Sequence, residues 1–410
     1  MDNCTLMRLI RIFVMAGLSS WSSAYPADQS RAGAGNITAA GIADRSPLIK
    51  SARDLLKKQA GQIRNPKLRA ETLDAISNSN TCVTHRAGMS VSQQTAILKR
   101  LLDLGLLDAS DGTIFPNGLR AGVFPPLIDD GSTCPKLPQP FYSAPGSSFG
   151  GHHSYPGGLM LHEAFNEISA LNFASGYRRV YGSSNPDGLP VVGPAERADE
   201  TGSDIFISQD IIIAAPIWHD WAKTFVFQWN SDGTEFQELN FGGDSGGTAA
   251  IKTGAHHILG IAEAIKRGLP PDFVIALASA HSTIEERVVS WIRTAAVIAQ
   301  IDPIASGHLR RDSDNRLHAK MLVESALHNL SDSDFIFTGP AVNDVQKMLA
   351  AVAPKFGFNA ADTATFNNAF RNVVLSYFSA ERLLMIYGNS GLAGVTAEIG
   401  KIEPLLVKPP

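Results

Sequence analysis

The chain has 410 residues, of which 44% are hydrophobic and 18% charged, and its formal net charge is −4 at pH 7. This length is sufficient to bury a large core in one domain or two, and the composition is ordinary for a globular protein. The slightly acidic balance argues against a broadly basic nucleic-acid-binding surface. It is still compatible with a local nucleic-acid-binding groove.

The first residues have the pattern of a secretory signal. Arg8 and Arg11 precede or enter an apolar run at 9–18, and small residues follow at 22–24. We expect residues 1–24 to be a signal peptide cleaved after Ala24, with an uncleaved signal anchor as the alternative. The mature protein is then secreted or periplasmic, without a membrane anchor. Residues 25–45 are rich in small residues and predict a disordered leader.

The cysteines fit an exported protein. Cys4 lies in the predicted signal peptide, and Cys82 and Cys134 lie in polar, loop-like segments. Two such cysteines in an oxidising compartment suggest one disulfide, with two free thiols as the alternative. The bond would tie the N-terminal helices to the long loop that precedes a histidine-rich region.

Helical patterns dominate the chain. In the N-terminal segment, 46–150, they cover 47–62, 66–77 and about 90–107, and Ser90 and Gln93 form a capping box for the third. A loop rich in Gly, Pro, Ser and Asp follows at 108–156. We expect this loop to be ordered and to cover a site, because loops of this length in compact domains are usually functional or unordered.

The remaining patterns are also mainly helical. They cover 159–173, 211–223, 248–267, 271–280, 284–301, 316–329, 341–352 and 362–387. Pro216 should kink or restart its helix. Residues 225–241 carry aromatic side chains around the turn Ser231-Asp232-Gly233 and predict a short β-hairpin between helices. The predicted fold is all-α with this small inserted hairpin, and the C-terminal helical region, 306–410, shows no residue cluster that suggests separate chemistry.

Histidines are concentrated in the middle of the chain, where seven of the 11 lie between His152 and His281. The apolar run 211–223 carries the adjacent pair His219 and Asp220, followed by Lys223. An imidazole and a carboxylate are suitable ligands for a divalent cation, and each is costly to bury alone. A single histidine on an apolar face is more often a core residue than a ligand. Five such positions on successive helices favour a metal centre.

The order of these residues resembles the HD-domain superfamily of metal-dependent phosphohydrolases, in the branch that includes bacterial 3′–5′ exoribonucleases and relaxase-type proteins. The resemblance is carried by the segments HHSYPGGLMLHE (152–163), HDWAK (219–223), AHHILG (255–260) and ASAH (278–281). It covers about residues 150–305. It therefore implies an HD-type helical bundle at 151–305 with helical flanks on both sides.

The resemblance also implies the site. It assigns as metal ligands His162, His219, Asp220, His256 and His281, with Asp220 bridging two ions and Lys223 contacting a phosphate oxygen. Asp220 and Lys223 thus take the catalytic roles. His256 is chosen over His257 because it lies four residues before Gly260, as in the family pattern. The family's last aspartate falls on Ala299 in one register, and Asp302, three residues later, is predicted to replace it.

We therefore expect an exported phosphohydrolase that cleaves a small phosphate ester or a nucleic-acid fragment and has no specific protein partner. One or two divalent ions, Mn, Fe, Co, Ni or Zn, would lower the pKa of a bound water and offset charge in the transition state. His152 and His153 would protonate a leaving group or contact substrate, or would simply lie on the loop surface. The alternative is an HD-like binding or scaffold protein with a degraded metal site and no catalysis.

A second motif suggests a different class of enzyme. The string GDSGG at 243–247 matches the surroundings of the nucleophile in trypsin-like serine proteases. That chemistry needs a histidine and an aspartate placed by the fold, and triads are recognised by geometry rather than by a short string. In a helical chain without the matching histidine segment, a Gly-rich linker is the better interpretation.

Overall fold

The computed structural model describes residues 33–110, 118–181, 207–235, 238–241 and 252–407. The predicted signal peptide, the first part of the predicted leader and the GDSGG string lie outside these residues. The fold is 62% helix and 4% strand, which confirms the all-α prediction with a small β component. Among the described residues, no helix is both long enough and apolar enough to cross a membrane.

The N-terminal helices are α1 (Asn36–Arg45), α2 (Pro47–Ala60), α3 (Pro66–Ser77), α4 (Val91–Asp103) and α5 (Gly118–Val123). Local sequence fixes several of their starts. The side chains of Ser46 and Asn65 accept from the backbone N–H three residues on, ahead of a proline whose φ already suits a helix. Ser90 and Gln93 form the reciprocal capping box that the sequence predicted.

The middle helices are α6 (Gly158–Tyr181), α7 (Gln209–Trp218), α8 (Lys223–Val226), α9 (Ala255–Lys266), α10 (Pro271–Ala278) and α11 (Glu285–Ala299). The C-terminal ones are α12 (Val323–Ser331), α13 (Phe335–Val352), α14 (Thr363–Phe366), α15 (Asn372–Phe378) and α16 (Ala380–Gly400), with a π-helix at Asn367–Arg371. Short 3₁₀ turns lie at Thr84–Arg86, Phe141–Ser143, Ala353–Phe356 and Glu403–Leu405.

The prediction of a disordered leader is wrong for its second half, because 36–45 form helix α1. Ala39, Ile42 and Ala43 are buried on one side of this helix. It packs against the 3₁₀ turn Phe141–Ser143 and against α15. A composition rich in small residues indicates disorder only when the segment has nothing to pack on, and here distant parts of the chain supply the partner.

The β structure is smaller than the predicted hairpin. Residues 223–226 form α8, and only an isolated bridge between Trp229 and Glu235 closes the turn at Asp232-Gly233. Strand β1 (Asn240–Phe241) pairs antiparallel with β2 (Thr253–Gly254), and β3 (Arg310–Arg311) pairs with β4 (Leu317–His318). The latter strand replaces the start of the helix predicted at 316–329.

Two large hydrophobic cores organise the described part of the chain, and a small third one contains Ala170, Ala174, Ile207, Ile212 and Leu327. The first joins the N-terminal helices to α6, α7 and α9–α11. The second is formed by α13–α16 and receives Ile42 of α1 and Tyr155 of the loop before α6. Helix α12 packs against α6, α7 and α10. Helix α12, which follows the predicted boundary at 305, thus packs on the central bundle, whereas α13–α16 form the second core.

A disulfide closes the N-terminal part of the fold. Cys82 and Cys134 are bonded, with their Cα atoms 5.6 Å apart and a sequence separation of 52. Next to it, the N–H of Val83 donates to the carbonyl of Pro135 at 2.9 Å. The bond that the cysteine pattern suggested is thus present, and it ties the segment around Cys134 to the connection between α3 and α4.

Candidate metal centre

Helix α6 brings His162 and Glu163 into the interior, where both are fully buried. The start of this helix lies very close to the preceding loop. A Cβ at Gly158 would lie 1.8 Å from the carbonyl oxygen of His153, so only glycine fits there. This close approach places the loop that carries His152 and His153 directly beside His162, and the rings of His152 and His162 are 5.0 Å apart.

His219 and Asp220 lie at the end of α7. The helix continues through Pro216 and stops at Trp218, and the chain re-enters a helix at Lys223. The Nδ1 atom of His219 lies 2.9 Å from the carbonyl oxygen of Pro216 and 3.1 Å from Oε2 of Glu163. These partners occupy Nδ1, so the Nε2 atom is directed at the neighbouring carboxylates.

Asp220 lies between imidazoles from three helices. Its Oδ2 atom is 3.2 Å from Nε2 of His162 and 3.4 Å from Nε2 of His219. Its Oδ1 atom is 3.2 Å from Nε2 of His256. The two oxygens of this buried carboxylate therefore face different imidazoles.

Asp332, at the end of α12, has the same arrangement. Its Oδ1 atom is 3.3 Å from Nε2 of His162 and 3.5 Å from Nε2 of His219. Its Oδ2 atom is 3.7 Å from Nε2 of His281. We call His162 and His219 the first imidazole pair, His256 and His281 the second imidazole pair, and Asp220 and Asp332 the carboxylate pair. Each carboxylate turns one oxygen to the first pair and the other to a member of the second.

Polar side chains at the Nδ1 atoms orient both rings of the second imidazole pair. Nδ1 of His256 is 2.6 Å from Oε2 of Glu238, and Nδ1 of His281 is 3.3 Å from the hydroxyl of Thr253. His257 differs, because its Nε2 donates to the carbonyl of Ala278 at 3.1 Å and its ring stacks on His281. The choice of His256 over His257 thus agrees with the geometry.

Asp302 does not join the cluster, so its prediction as a ligand is corrected. Its exposed side chain accepts from the N–H groups of Ile304 and Ala305 at 2.8 and 3.2 Å. Gln300 adopts the left-handed conformation (φ 55°) and ends α11. Asp302 is therefore not on the helical face that a shifted register would require, and Asp332 is the carboxylate that completes the cluster.

Lys223 lies in the site, as predicted. Its buried ammonium donates to Oδ2 of Asp220 and to the carbonyl of Gly146. It lines a cavity of about 580 Å³ together with His152, Phe227, Phe335 and the members of both imidazole pairs other than His219. Burial, with the nearby charges of Lys223 and His162, lowers the pKa of His152 well below its ordinary value, so this cavity histidine is neutral.

The electrostatics of the cluster favour cations. Burial alone would lower the pKa of His162, but the charge of Asp334 and the hydrogen bonds of the carboxylate pair raise it well above its ordinary value. His219 behaves in the same way beside Asp220 and Glu163. The carboxylates thus attract positive charge strongly enough to overcome desolvation.

The donor set fits a divalent metal. Among the described residues, Nε2 of His219 and Oδ1 of Asp220 are buried and make no hydrogen bond. Buried polar atoms without a partner are rare and call for an explanation such as an ion. The ligand atoms of His219, Asp220 and His281 lie within 4.8 Å of one another. Mixed imidazole and carboxylate ligands suit Mn, Fe, Co, Ni or Zn.

Sequence reasoning missed four acidic residues around the imidazoles: Glu163, which directly follows His162, and three that lie outside the quoted segments, Glu238, Asp332 and Asp334. The last two were assigned to a region without chemistry. The signal that points to them is the string SDSD at 331–334, which follows His328 directly after an amphipathic helix.

Comparison of the chain with protein-family models, with curated proteins and with solved structures gave no match.

Proposed function

We propose that the chain is a metal-dependent phosphohydrolase of the HD type that cleaves phosphate esters. One observation carries this proposal: each member of the carboxylate pair turns one oxygen to the first imidazole pair and the other to the second. Such an arrangement would suit divalent ions, which the two imidazole pairs and the carboxylate pair would hold.

Divalent ions in such a site would supply Lewis acidity. They would polarise phosphate oxygens and lower the pKa of water, so that hydroxide is available for attack near neutral pH. Side chains that line the cavity would supply the other contacts with the substrate. Lys223 places a positive charge on the cavity wall for a phosphate oxygen. His152, held neutral by burial, can donate a hydrogen bond to the ester or accept one from it. Phe227 and Phe335 offer apolar surface to the remainder of the substrate.

The size of the cavity supports a small substrate. A volume of about 580 Å³ is in the range that holds small molecules, and it would also admit the end of a nucleic-acid fragment. We propose an exported protein, as the N-terminal signal pattern suggests. The alternative of a degraded metal site depended on Ala299, and Asp332 offers the carboxylate that Ala299 lacks.

The test is a metal analysis combined with a hydrolysis screen on aryl phosphate monoesters and diesters, with each candidate divalent ion added. We expect at least about one ion per chain and hydrolysis by the wild type. His219→Ala and Asp220→Ala should lose both. The matched control Asp302→Ala changes an exposed aspartate and should keep both. Hydrolysis that survives in the His219 and Asp220 variants would remove this site from the mechanism.

A further inference from the structure

We propose that Asp334, His153 and Tyr155 form a positioning chain that fixes the ring orientation and tautomer of His162, and that this chain sets the affinity of the first imidazole pair for a divalent cation. The inference rests on the proposed metal centre. None of these three residues belongs to the predicted ligand set, and Asp334 lies in the region where no chemistry was expected.

The contacts form a series of hydrogen bonds, and Glu381 lies beside it with Oε1 3.9 Å from Nδ1 of His153. Nδ1 of His162 lies 2.8 Å from Oδ1 of Asp334, and Oδ2 of Asp334 lies 2.8 Å from Nε2 of His153. Nδ1 of His153 lies 2.9 Å from the hydroxyl of Tyr155, which is fully buried. The side chains of His153 and Asp334 are each only 6% exposed. The series thus runs from the cluster into the second core.

One assignment of protons satisfies every member. Tyr155 donates its O–H to Nδ1 of His153, because a phenol keeps its proton near neutral pH. His153 then carries its proton on Nε2 and donates to Asp334. The other oxygen of Asp334 accepts from Nδ1 of His162. In this assignment Nδ1 of His162 keeps its proton. Nε2, which faces the carboxylate pair and lies 3.1 Å from Nδ2 of Asn166, is then the atom that would give up its proton to bind a cation.

The backbone indicates that the position of His153 is specified. Its φ is +49°, a left-handed conformation that is uncommon for a residue other than glycine. Its carbonyl accepts from the N–H groups of Gly146 and Tyr155 at 2.9 and 2.8 Å. Strained residues persist only where their surroundings hold them, and they are concentrated at functional sites. The loop therefore holds His153 at Asp334.

His162 differs in this respect from the other imidazoles of the cluster. His219 is backed by a backbone carbonyl and Glu163, His256 by a carboxylate, and His281 by a hydroxyl. Among the described residues, only the carboxylate behind His162 is itself held by a further histidine, which in turn is hydrogen-bonded to a tyrosine. We infer that His162 is the most rigidly placed ligand and that the first ion binds there.

The experiment measures metal affinity by calorimetric titration of the chelator-treated full chain with Mn²⁺ or Zn²⁺, and therefore does not need hydrolysis. Asp334→Ala should weaken binding at the first site about 10- to 100-fold, the usual effect of losing such a partner, and leave the second site unchanged. Asp334→Asn keeps one acceptor oxygen and should fall between this variant and the wild type. Tyr155→Phe removes only the last hydrogen bond and should weaken the first site about 5-fold.

A matched control is another buried histidine–carboxylate pair, His85 and Glu263, which are 2.7 Å apart. His85→Gln should lower the urea midpoint of the metal-free protein and leave metal affinity unchanged. Wild-type affinity in Asp334→Ala would overturn the inference and leave the proposed function intact. Loss of one whole ion in this variant would also overturn it, because Asp334 would then be a metal ligand itself. If Asp334→Ala does not fold, wild-type affinity in Tyr155→Phe overturns it. A wild type that binds no cation contradicts both proposals, whereas binding without hydrolysis contradicts only the enzyme.

Discussion

Asp220 is buried completely, and its charge is tolerated because of its partners. An isolated buried carboxylate is very unfavourable, whereas Asp220 has imidazoles near both oxygens and the ammonium of Lys223 on one. Burial raises its pKa, but the charges of His219 and Lys223 hold it well below the ordinary range. Removal of one partner of such a group leaves an uncompensated charge, so substitutions here act on stability as well as on function.

Asp332 and Asp302 give the sharpest test at the level of single residues. Asp332→Ala should abolish binding of at least one ion, because it removes an oxygen from each side of the cluster. Asp302→Ala should bind metal as the wild type does. The measurement is the metal content of both variants after dialysis. Equal metal loss in the two variants, or none in Asp332→Ala, would contradict the assignment of the closing carboxylate.

The ligands that sequence predicted share one property. His162, His219, Asp220, His256 and His281 lie in short motifs whose meaning depends on nearby residues, and the fold brings them together as expected. Asp332 was missed because it reaches the cluster only through the packing of α12 on α6 and α7. The string SDSD at 331–334 marks Asp332 as a candidate, but it does not specify this long-range contact.

The helices show the same difference between features set by local sequence and features set by long-range packing. The starts of α2, α3 and α4 were predictable because caps and N-terminal prolines act over three or four residues. Helix α1 was not, because its ten residues are stable only when packed on partners from the other end of the chain. The end of α11 depended on one left-handed residue, Gln300, which no propensity specifies.

A buried network joins the 3₁₀ turn Thr84–Arg86 to α9. Oε2 of Glu263 is 2.7 Å from Nδ1 of His85, and its Oε1 is 2.7 Å from Nε of Arg267. Burial raises the pKa of Glu263, but the hydrogen bond from His85 and the charge of Arg267 outweigh it and lower the pKa to about 2. The ionised carboxylate therefore stabilises the fold.

This network predicts the pH dependence of stability. Because the pKa is depressed in the fold, the stabilisation from Glu263 is complete above its ordinary pKa and is lost as the pH falls from about 4.5 towards 2. The full effect is on the order of 3 kcal/mol. Urea unfolding over this range should show stability that falls with acid in the wild type. Glu263→Gln should be less stable at neutral pH and should show a smaller decline, and an equal decline would contradict the prediction.

At the scale of the whole molecule, the cluster lies where the two cores meet. His162 belongs to α6 in the first core, and Asp334 is the N-cap residue of α13 in the second. Their hydrogen bond of 2.8 Å joins the two bodies of packing directly. Residue Asp334 of the predicted C-terminal region, 306–410, therefore takes part in the surroundings of the cluster.

We therefore expect metal to stabilise both cores together. A ligand that binds only the folded state at about 1,000 times its dissociation constant adds about 4 kcal/mol to the free energy of unfolding. Among the described residues, tryptophans lie in or beside the first core, whereas far-UV circular dichroism reports all helices. Both signals should shift to higher temperature in a single coincident transition. Two separate transitions, with only the fluorescence responding to metal, would contradict this coupling.

The ammonium of Lys223 already rests on Asp220, and this has a consequence for ion selectivity. The buried carboxylate thus has an internal counterion, so we expect metal binding at the proposed site to be an exchange of partners rather than a simple addition. Sodium or potassium brings no more charge than the lysine that must give way, and therefore gains little from Coulomb attraction. A doubly charged ion does gain, and discrimination between the two classes follows from the tethered side chain alone.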